Sequence, residues 1–240
     1  MKFTDVSQEN LLKLKNNPYP GRGIVVGLSD NSRYLVHIYW IMGRSFNSQN
    51  RIFVLDEEGN LRTQAFDQEK VEDPSLIIYK AMSQSFRYFA VSNGHQTDDA
   101  LSSYVLGMEK ALSSWKYEPD APNFTPRITV ASALRGKRVS PVYMSIFTKS
   151  PLGNGCDRKF YSLNLNYPGL GYCVTTYAGD GNPLPSFSGD PYLLPIIGNI
   201  ESVASSIWDN LNQDTRVSLA VRFINIRSGR SDFKIINKHV

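Results

Sequence analysis

The chain has 240 residues, of which 41% are apolar and 12% aromatic, and its 26 Lys and Arg against 22 Asp and Glu leave a net charge of +4. This composition argues against intrinsic disorder and supports a core that needs no structural metal or disulfide staple, while the length favours one large domain. The basic residues are scattered, without the dense run of a nucleic-acid arm or polybasic membrane anchor, so a small anionic ligand fits better than either.

Cys156 and Cys173 lie apart with no C-x-x-C or Cys/His spacing, which reads as two reduced thiols. No apolar run approaches the ~20 residues that span a bilayer. The start MKFTDVSQEN lacks the apolar stretch of a signal peptide, so a soluble cytoplasmic protein is expected.

In chain order, Ser7 to Lys15 carries Leu11, Leu12 and Leu14 and predicts a short helix ahead of the domain proper. Asn17-Pro18-Tyr19-Pro20-Gly21 punctuates it. Three β-rich runs follow, Gly23 to Leu28, Tyr34 to Trp40 and Arg51 to Leu55, the first two as a hairpin across Ser29-Asp30-Asn31-Ser32. Asp73-Pro74 reads as a capped helix start continued by Leu76, Ile77, Tyr79, Lys80 and Ala81. A strand from Tyr88 to Ser92 leads to a second helix, capped by Thr97 or Asp98. Its apolar residues Leu101, Tyr104, Val105, Met108, Leu112 and Trp115 recur at three- and four-residue steps. Further strands are predicted at Arg127–Leu134, Val142–Phe147, Lys159–Leu165, Tyr172–Tyr177 and Val217–Ile226, with a helix through Val203, Ile207, Trp208 and Leu211. Ala178 to Pro191 is a Gly-, Pro-, Ser- and Asp-rich loop that either covers a site or crosses the surface. Strands, then helices, then strands predict layered α+β architecture, without the alternating units of a doubly wound fold.

His37, His95 and His239 are isolated, and no H-E-x-x-H motif occurs, so metal binding is not expected. Gly21, Gly23 and Gly27 sit before and inside a strand, which excludes a phosphate-binding glycine loop, and no G-x-S-x-G elbow is present. What remains is a set of polar residues at element ends: Arg22, Arg44 with Ser45, Asn50 with Arg51, Tyr79, Asn93 to Asp98, Glu118 and Thr125-Pro126-Arg127. Arginine forks and a helix start after Thr97 could hold a phosphorylated metabolite. Taken singly, Asn93-Gly94 is an ordinary turn signal, Thr97 an ordinary cap and Glu118 an ordinary loop acid.

Several strings taken in order resemble the archaeal-type inosine monophosphate (IMP) cyclohydrolase family. They are Tyr19-Pro20-Gly21-Arg22-Gly23-Ile24, Gly43-Arg44-Ser45-Phe46 with Asn50-Arg51, and Val91-Ser92-Asn93-Gly94 with Thr97-Asp98. Leu106-Gly107-Met108 and then Tyr117-Glu118-Pro119-Asp120 with Thr125-Pro126-Arg127-Ile128 continue the series. The likeness is clear from Tyr19 to Leu134 and thins afterwards, continuing in Gly171 to Tyr177 and Phe187 to Pro191.

This resemblance implies residues 1–18 as an N-terminal extension and 19–240 as a single domain, folded as a four-layer αββα sandwich like the N-terminal-nucleophile hydrolases. No small nucleophile stands where the domain begins, so self-processing is not expected. The resemblance further implies closure of 5-formamidoimidazole-4-carboxamide ribonucleotide (FAICAR) to IMP and water, with no metal or other cofactor. Arg51, Tyr79, Asn93 and Glu118 match catalytic positions, Tyr79 across a gap after Asp73-Pro74. Glu118 and Tyr79 are expected to move or orient protons, and Asn93 and Arg51 to polarise the formyl or carboxamide oxygen. Arg22, Arg44, Ser45, Gly94, Thr125 and Arg127 are the substrate-binding expectations. His95 stands one position earlier than the family pattern has its histidine, and no role is assigned to it. A purine nucleotide is the implied partner, with no nucleic acid or membrane, and a homo-oligomer is left open. An amidohydrolase on the same scaffold and a non-catalytic purine-nucleotide-binding protein are the alternatives.

Overall fold

The computed structural model describes residues 2–71 and 78–240. Helix α1 (Phe3–Asn16) precedes a hairpin of β1 (Gly23–Leu28) and β2 (Tyr34–Met42). A one-turn helix α2 (Phe46–Gln49) leads to a second hairpin, β3 (Arg51–Leu55) and β4 (Leu61–Ala65). Strands β5 (Lys80–Ser85) and β6 (Tyr88–Ser92) then pass into three one-turn helices, α3 (Thr97–Ala100), α4 (Ser103–Leu106) and α5 (Met108–Ala111). A meander follows of β7 (Arg127–Arg135), β8 (Arg138–Val139), β9 (Val142–Lys149) and β10 (Cys156–Leu163). The order ends with β11 (Leu170–Thr175), β12 (Tyr192–Pro195), α6 (Ile200–Asp209), β13 (Arg216–Asn225) and β14 (Ser231–Asn237).

These strands make two antiparallel sheets, one ordered β12-β11-β1-β2-β13-β14 and the other β10-β9-β7-β6-β5-β4-β3, with β8 paired to β7. The architecture is therefore α+β with few helices. Period-two alternation sends neighbours in one strand to different cores. Ile24, Val26, Leu35, Tyr39 and Ile41 of the first sheet pack with Phe89, Val91, Ile128 and Val130 of the second. Val25, Val36, Ile38 and Trp40, one residue out of phase, pack instead with Leu14 of α1 and Val203, Ala204 and Ile207 of α6. Ala90 and Ala131 of the second sheet meet Ala100, Met108 and Leu112 on its other face. Because β1, β2, β6 and β7 are apolar at successive positions, both of their faces are covered, and each fully buried large side chain contributes about 1.5–3 kcal/mol.

The structure corrects several expectations. The helix expected from Thr97 through Trp115 is three separate turns; Gly107 at φ +84° makes the break between the second and the third, and the first ends at Ala100. Its N-cap is Gln96, while Thr97 lies inside the first turn and is buried. A single turn lacks the aligned peptide dipoles of a long helix, so the anion site expected there is not formed. The helix expected from Asp73 falls mostly outside the described residues, yet its last expected members, Lys80 and Ala81, belong to β5. Strands β4, β5, β8, β12 and β14 were not predicted, and β10 begins and ends earlier than the expected Lys159–Leu165. Among the described residues no helix is long and apolar enough to cross a membrane.

Candidate active site

Antiparallel pairing brings the expected residues to one end of the two sheets. Arg22 precedes β1, Arg44 follows β2 and Arg51 opens β3. Tyr79 precedes β5, Asn93 follows β6 and Arg127 opens β7. Here a cavity of about 290 Å³ is lined by Arg22, Arg44, Ser45, Arg51, Glu118 and Thr125, together with Tyr19, Asp120, Asn123 and Tyr177.

Its centre is an ion pair. Arg22 donates from both terminal nitrogens to the two Glu118 carboxylate oxygens, each at 2.8 Å, and also to the Asn93 carbonyl at 3.0 Å. Arg127 adds a second cation 3.8 Å from Glu118. Burial pushes the Glu118 carboxyl above its ordinary value, opposed by Arg22 and Arg127. Burial also works against the Arg22 charge, but Glu118 and the facing tyrosines Tyr79, Tyr39 and Tyr177 more than offset it and hold Arg22 protonated.

Arg51 is more deeply buried and is held differently. Its Nε donates to the Ser48 carbonyl at 2.8 Å and its Nη2 to the Met42 carbonyl at 3.0 Å, so β2 and α2 fix its plane. Among the described residues it forms no ion pair with a carboxylate. Burial lowers its pKa, and Tyr79 acts in the opposite sense. A buried guanidinium on a cavity wall without a carboxylate is an electrostatic vacancy for an anionic or strongly polar ligand group. At the mouth, Arg44 donates to Asp180 at 2.5 Å and to the Gly181 carbonyl at 2.9 Å, and lies over the Tyr19 ring. The glycine-rich loop is thereby a wall of the cavity, and Leu184 of the same loop donates its N–H to Asn123 at 3.0 Å.

Four expected residues stand one contact behind the cavity lining. The Asn93 side chain donates to the Pro126 carbonyl at 2.8 Å and accepts from the Ile128 N–H at 2.8 Å, which fastens the end of β6 to the start of β7. Both ends of its amide are thus engaged, and its main-chain oxygen is what meets Arg22. Gly94 lets Arg127 pass: a Cβ there would lie 2.0 Å from Arg127 Nη1. Arg127 then donates to Gln96 Oε1 at 3.0 Å and stacks on Trp115, with its Nε buried and unpaired. The Tyr79 hydroxyl shares a 2.6 Å hydrogen bond with Tyr39, which rises from the core between the sheets. Of the cavity residues, Ser45 caps α2 and accepts from the Ser48 N–H at 3.2 Å. Thr125 is clasped by Asp120 and Tyr177, and its carbonyl accepts the Glu118 N–H at 2.8 Å.

The sequence reading missed Tyr39 and Asn123, and it gave no role to Gln96 or Tyr177, although Gln96 lies within the Asn93 to Asp98 set and Tyr177 ends the Gly171 to Tyr177 string. Tyr39 sits inside an apolar strand, where nothing local marks it from its neighbours. Among the described residues no group of three His, Cys, Asp or Glu could hold a metal ion.

Residues 19–229 match the family model described as IMP cyclohydrolase-like protein. The chain belongs to the IMP cyclohydrolase-like family. A search of the curated proteins finds no match. The matched span contains every residue of the cavity and leaves α1 outside it.

Proposed function

We propose that the protein is an IMP cyclohydrolase of the archaeal type, converting FAICAR to IMP and water, with residues 19–240 as the catalytic domain. The observation that carries this reading is the pairing, in one small cavity, of a buried carboxylate with a buried guanidinium that no carboxylate of the described residues neutralises. The sheets backed by α1 and α6 on one side and α3–α5 on the other support the αββα layering of N-terminal-nucleophile hydrolases.

Ring closure needs little else. The carboxamide nitrogen attacks the formyl carbon, the C–N bond forms, one carboxamide proton leaves and negative charge gathers on the formyl oxygen. Glu118 accepts that proton: Arg22 uses two of the roughly four lone-pair sites of a carboxylate, so about two remain for substrate. Arg51 faces the developing oxyanion and stabilises it in a site from which water is largely excluded. The tetrahedral oxygen then departs as water, carrying the proton from the carboxamide and a second from the formamide N–H, whose nitrogen becomes doubly bonded to the former formyl carbon. Tyr79, paired with Tyr39 behind the lining, acts through Arg51, whose charge it favours. Asn93 acts as a positioning residue through Arg22 and Arg127 as one through Glu118, while Arg44 and Ser45 at the mouth, with Thr125, hold the ribose phosphate end.

The experiment is to incubate the purified protein, with chelator present, with FAICAR and follow IMP by absorbance and mass. Stoichiometric conversion to IMP is expected. Tight IMP binding by calorimetry without any acceleration of closure would overturn the enzyme and favour a binding protein. Hydrolytic gain of water by an unrelated amide, with FAICAR inert, would favour an amidohydrolase.

A further inference from the structure

At the end of the sheets remote from the cavity, the β1–β2, β7–β8 and β13–β14 turns converge on a second concavity of about 610 Å³. Arg33, Lys137 and Arg227 line it, one from each turn, and all three are exposed. Among the described residues none of them forms an ion pair. The β1–β2 turn carries one acid, Asp30, and its carboxylate is taken by the Gly198 N–H at 2.8 Å.

The frame that holds these cations is rigid. The Ile226 N–H donates to the Arg33 carbonyl at 3.0 Å. Asn31 accepts from the Arg33 N–H at 3.0 Å, and Asn225 accepts from the Arg227 and Ser228 N–H groups at 3.1 and 3.0 Å. Behind them Arg87 donates to the carbonyls of Gly136 and Ile226 at 2.8 and 2.9 Å, tying two of the turns together. Like charges carried on a cross-linked backbone repel one another, and an anion placed among them turns that repulsion into affinity.

We propose that this basic concavity is a second binding site, for a small polyphosphorylated anion of the size of inorganic triphosphate or the triphosphate of a nucleotide. Three convergent cations match three phosphate groups. The site lies at the far end of the sheets from Arg51 and Glu118, so its occupant is an effector and not the substrate.

The test is calorimetric titration of the full chain with sodium tripolyphosphate, alongside Arg33→Ala, Lys137→Ala, Arg227→Ala and an Arg51→Lys variant. Saturable one-to-one binding is expected, weakened about tenfold or more by each of the three alanines, weakened further by added salt, and unchanged in Arg51→Lys. A nucleoside triphosphate run in parallel shows whether the base adds affinity, and a rise in thermal midpoint with ligand gives an independent readout. Circular dichroism of the variants checks that they fold. Absence of saturable tripolyphosphate binding, or binding lost in Arg51→Lys and retained in the three alanine variants, would overturn the proposal. So would saturable binding of a single-stranded RNA with none of tripolyphosphate, which would assign the face to nucleic acid.

Discussion

Glu118 is buried among arginines, and the pH dependence of any reaction it serves follows from that placement. Burial raises its pKa in the folded protein, and a general base is active only when deprotonated. Activity is therefore lost as pH falls through a value above the ordinary carboxylate range, and a kcat/KM profile should show its acid limb there. An acid limb below pH 4.5 would contradict the role. Gly94 gives a second residue-scale expectation. Alanine at this position puts a methyl where Arg127 Nη1 now lies, displaces the cation beside Glu118 and costs about 1–3 kcal/mol of overpacking. Denaturant melts should report that loss, together with a drop in turnover; unchanged stability would mean that Arg127 moves freely. The sequence reading reached Glu118, Arg22 and Arg51 because each stands in a short string that resembles a family pattern. It could not foresee that the Asn93 side chain is spent on the main chain of β7, since a hydrogen-bond partner more than thirty residues away leaves no local trace.

Among the elements, β1, β3 and β6 occupy the predicted spans, as β-branched and aromatic runs bounded by turn residues. The missed strands have another character. β4 reads LRTQA and β5 reads KAMSQS, polar on one side and poor in β-branched residues, and each is held as a strand by its neighbours in the sheet. β14, at the edge of the first sheet, is also tied to β3, at the edge of the second. The Asn237 amide accepts from the Phe53 N–H at 2.9 Å and donates to the Phe53 carbonyl at 3.1 Å. Asn237→Ala leaves both main-chain groups unpaired and is expected to cost about 1–3 kcal/mol, with faster amide exchange in β3. Exchange that is unchanged in β3 would show that the two edges hold together without this amide.

For the whole molecule, the interior between the sheets carries a polar pin. His37 of β2 pairs through Nε2 with the Ser132 hydroxyl of β7 at 2.9 Å, and its Nδ1 is buried without a partner. Burial, reinforced by Arg222, lowers the His37 pKa to about 3. The unfolded ring titrates near the ordinary histidine value of 6.5, so the neutral folded form contributes full stability above that pH. The contribution is lost as pH falls from about 6.5 toward about 3, because the unfolded state then binds the extra proton. Between pH 7.5 and pH 5 this amounts to about 2 kcal/mol, and the difference should shrink in His37→Gln. Urea titrations at the two pH values measure it; an equal loss in wild type and variant would place the acid sensitivity elsewhere. The two sheets carry a mixed-charge cavity at one end and, at the other, a basic concavity whose cations form no ion pair among the described residues. A net charge of +4 gave no hint of that division, because net charge is a sum and the separation is topological.

The measurement that bears most directly on the central claim is the rate of IMP formation from FAICAR by wild type and Glu118→Gln at neutral pH, with IMP affinity measured on both. The expected result is rapid closure by wild type, about 100-fold or more slower in the variant, with IMP affinity within a few-fold of wild type. Equal rates in the two proteins, or no closure by either despite IMP binding, would contradict the assignment of ring closure to this cavity.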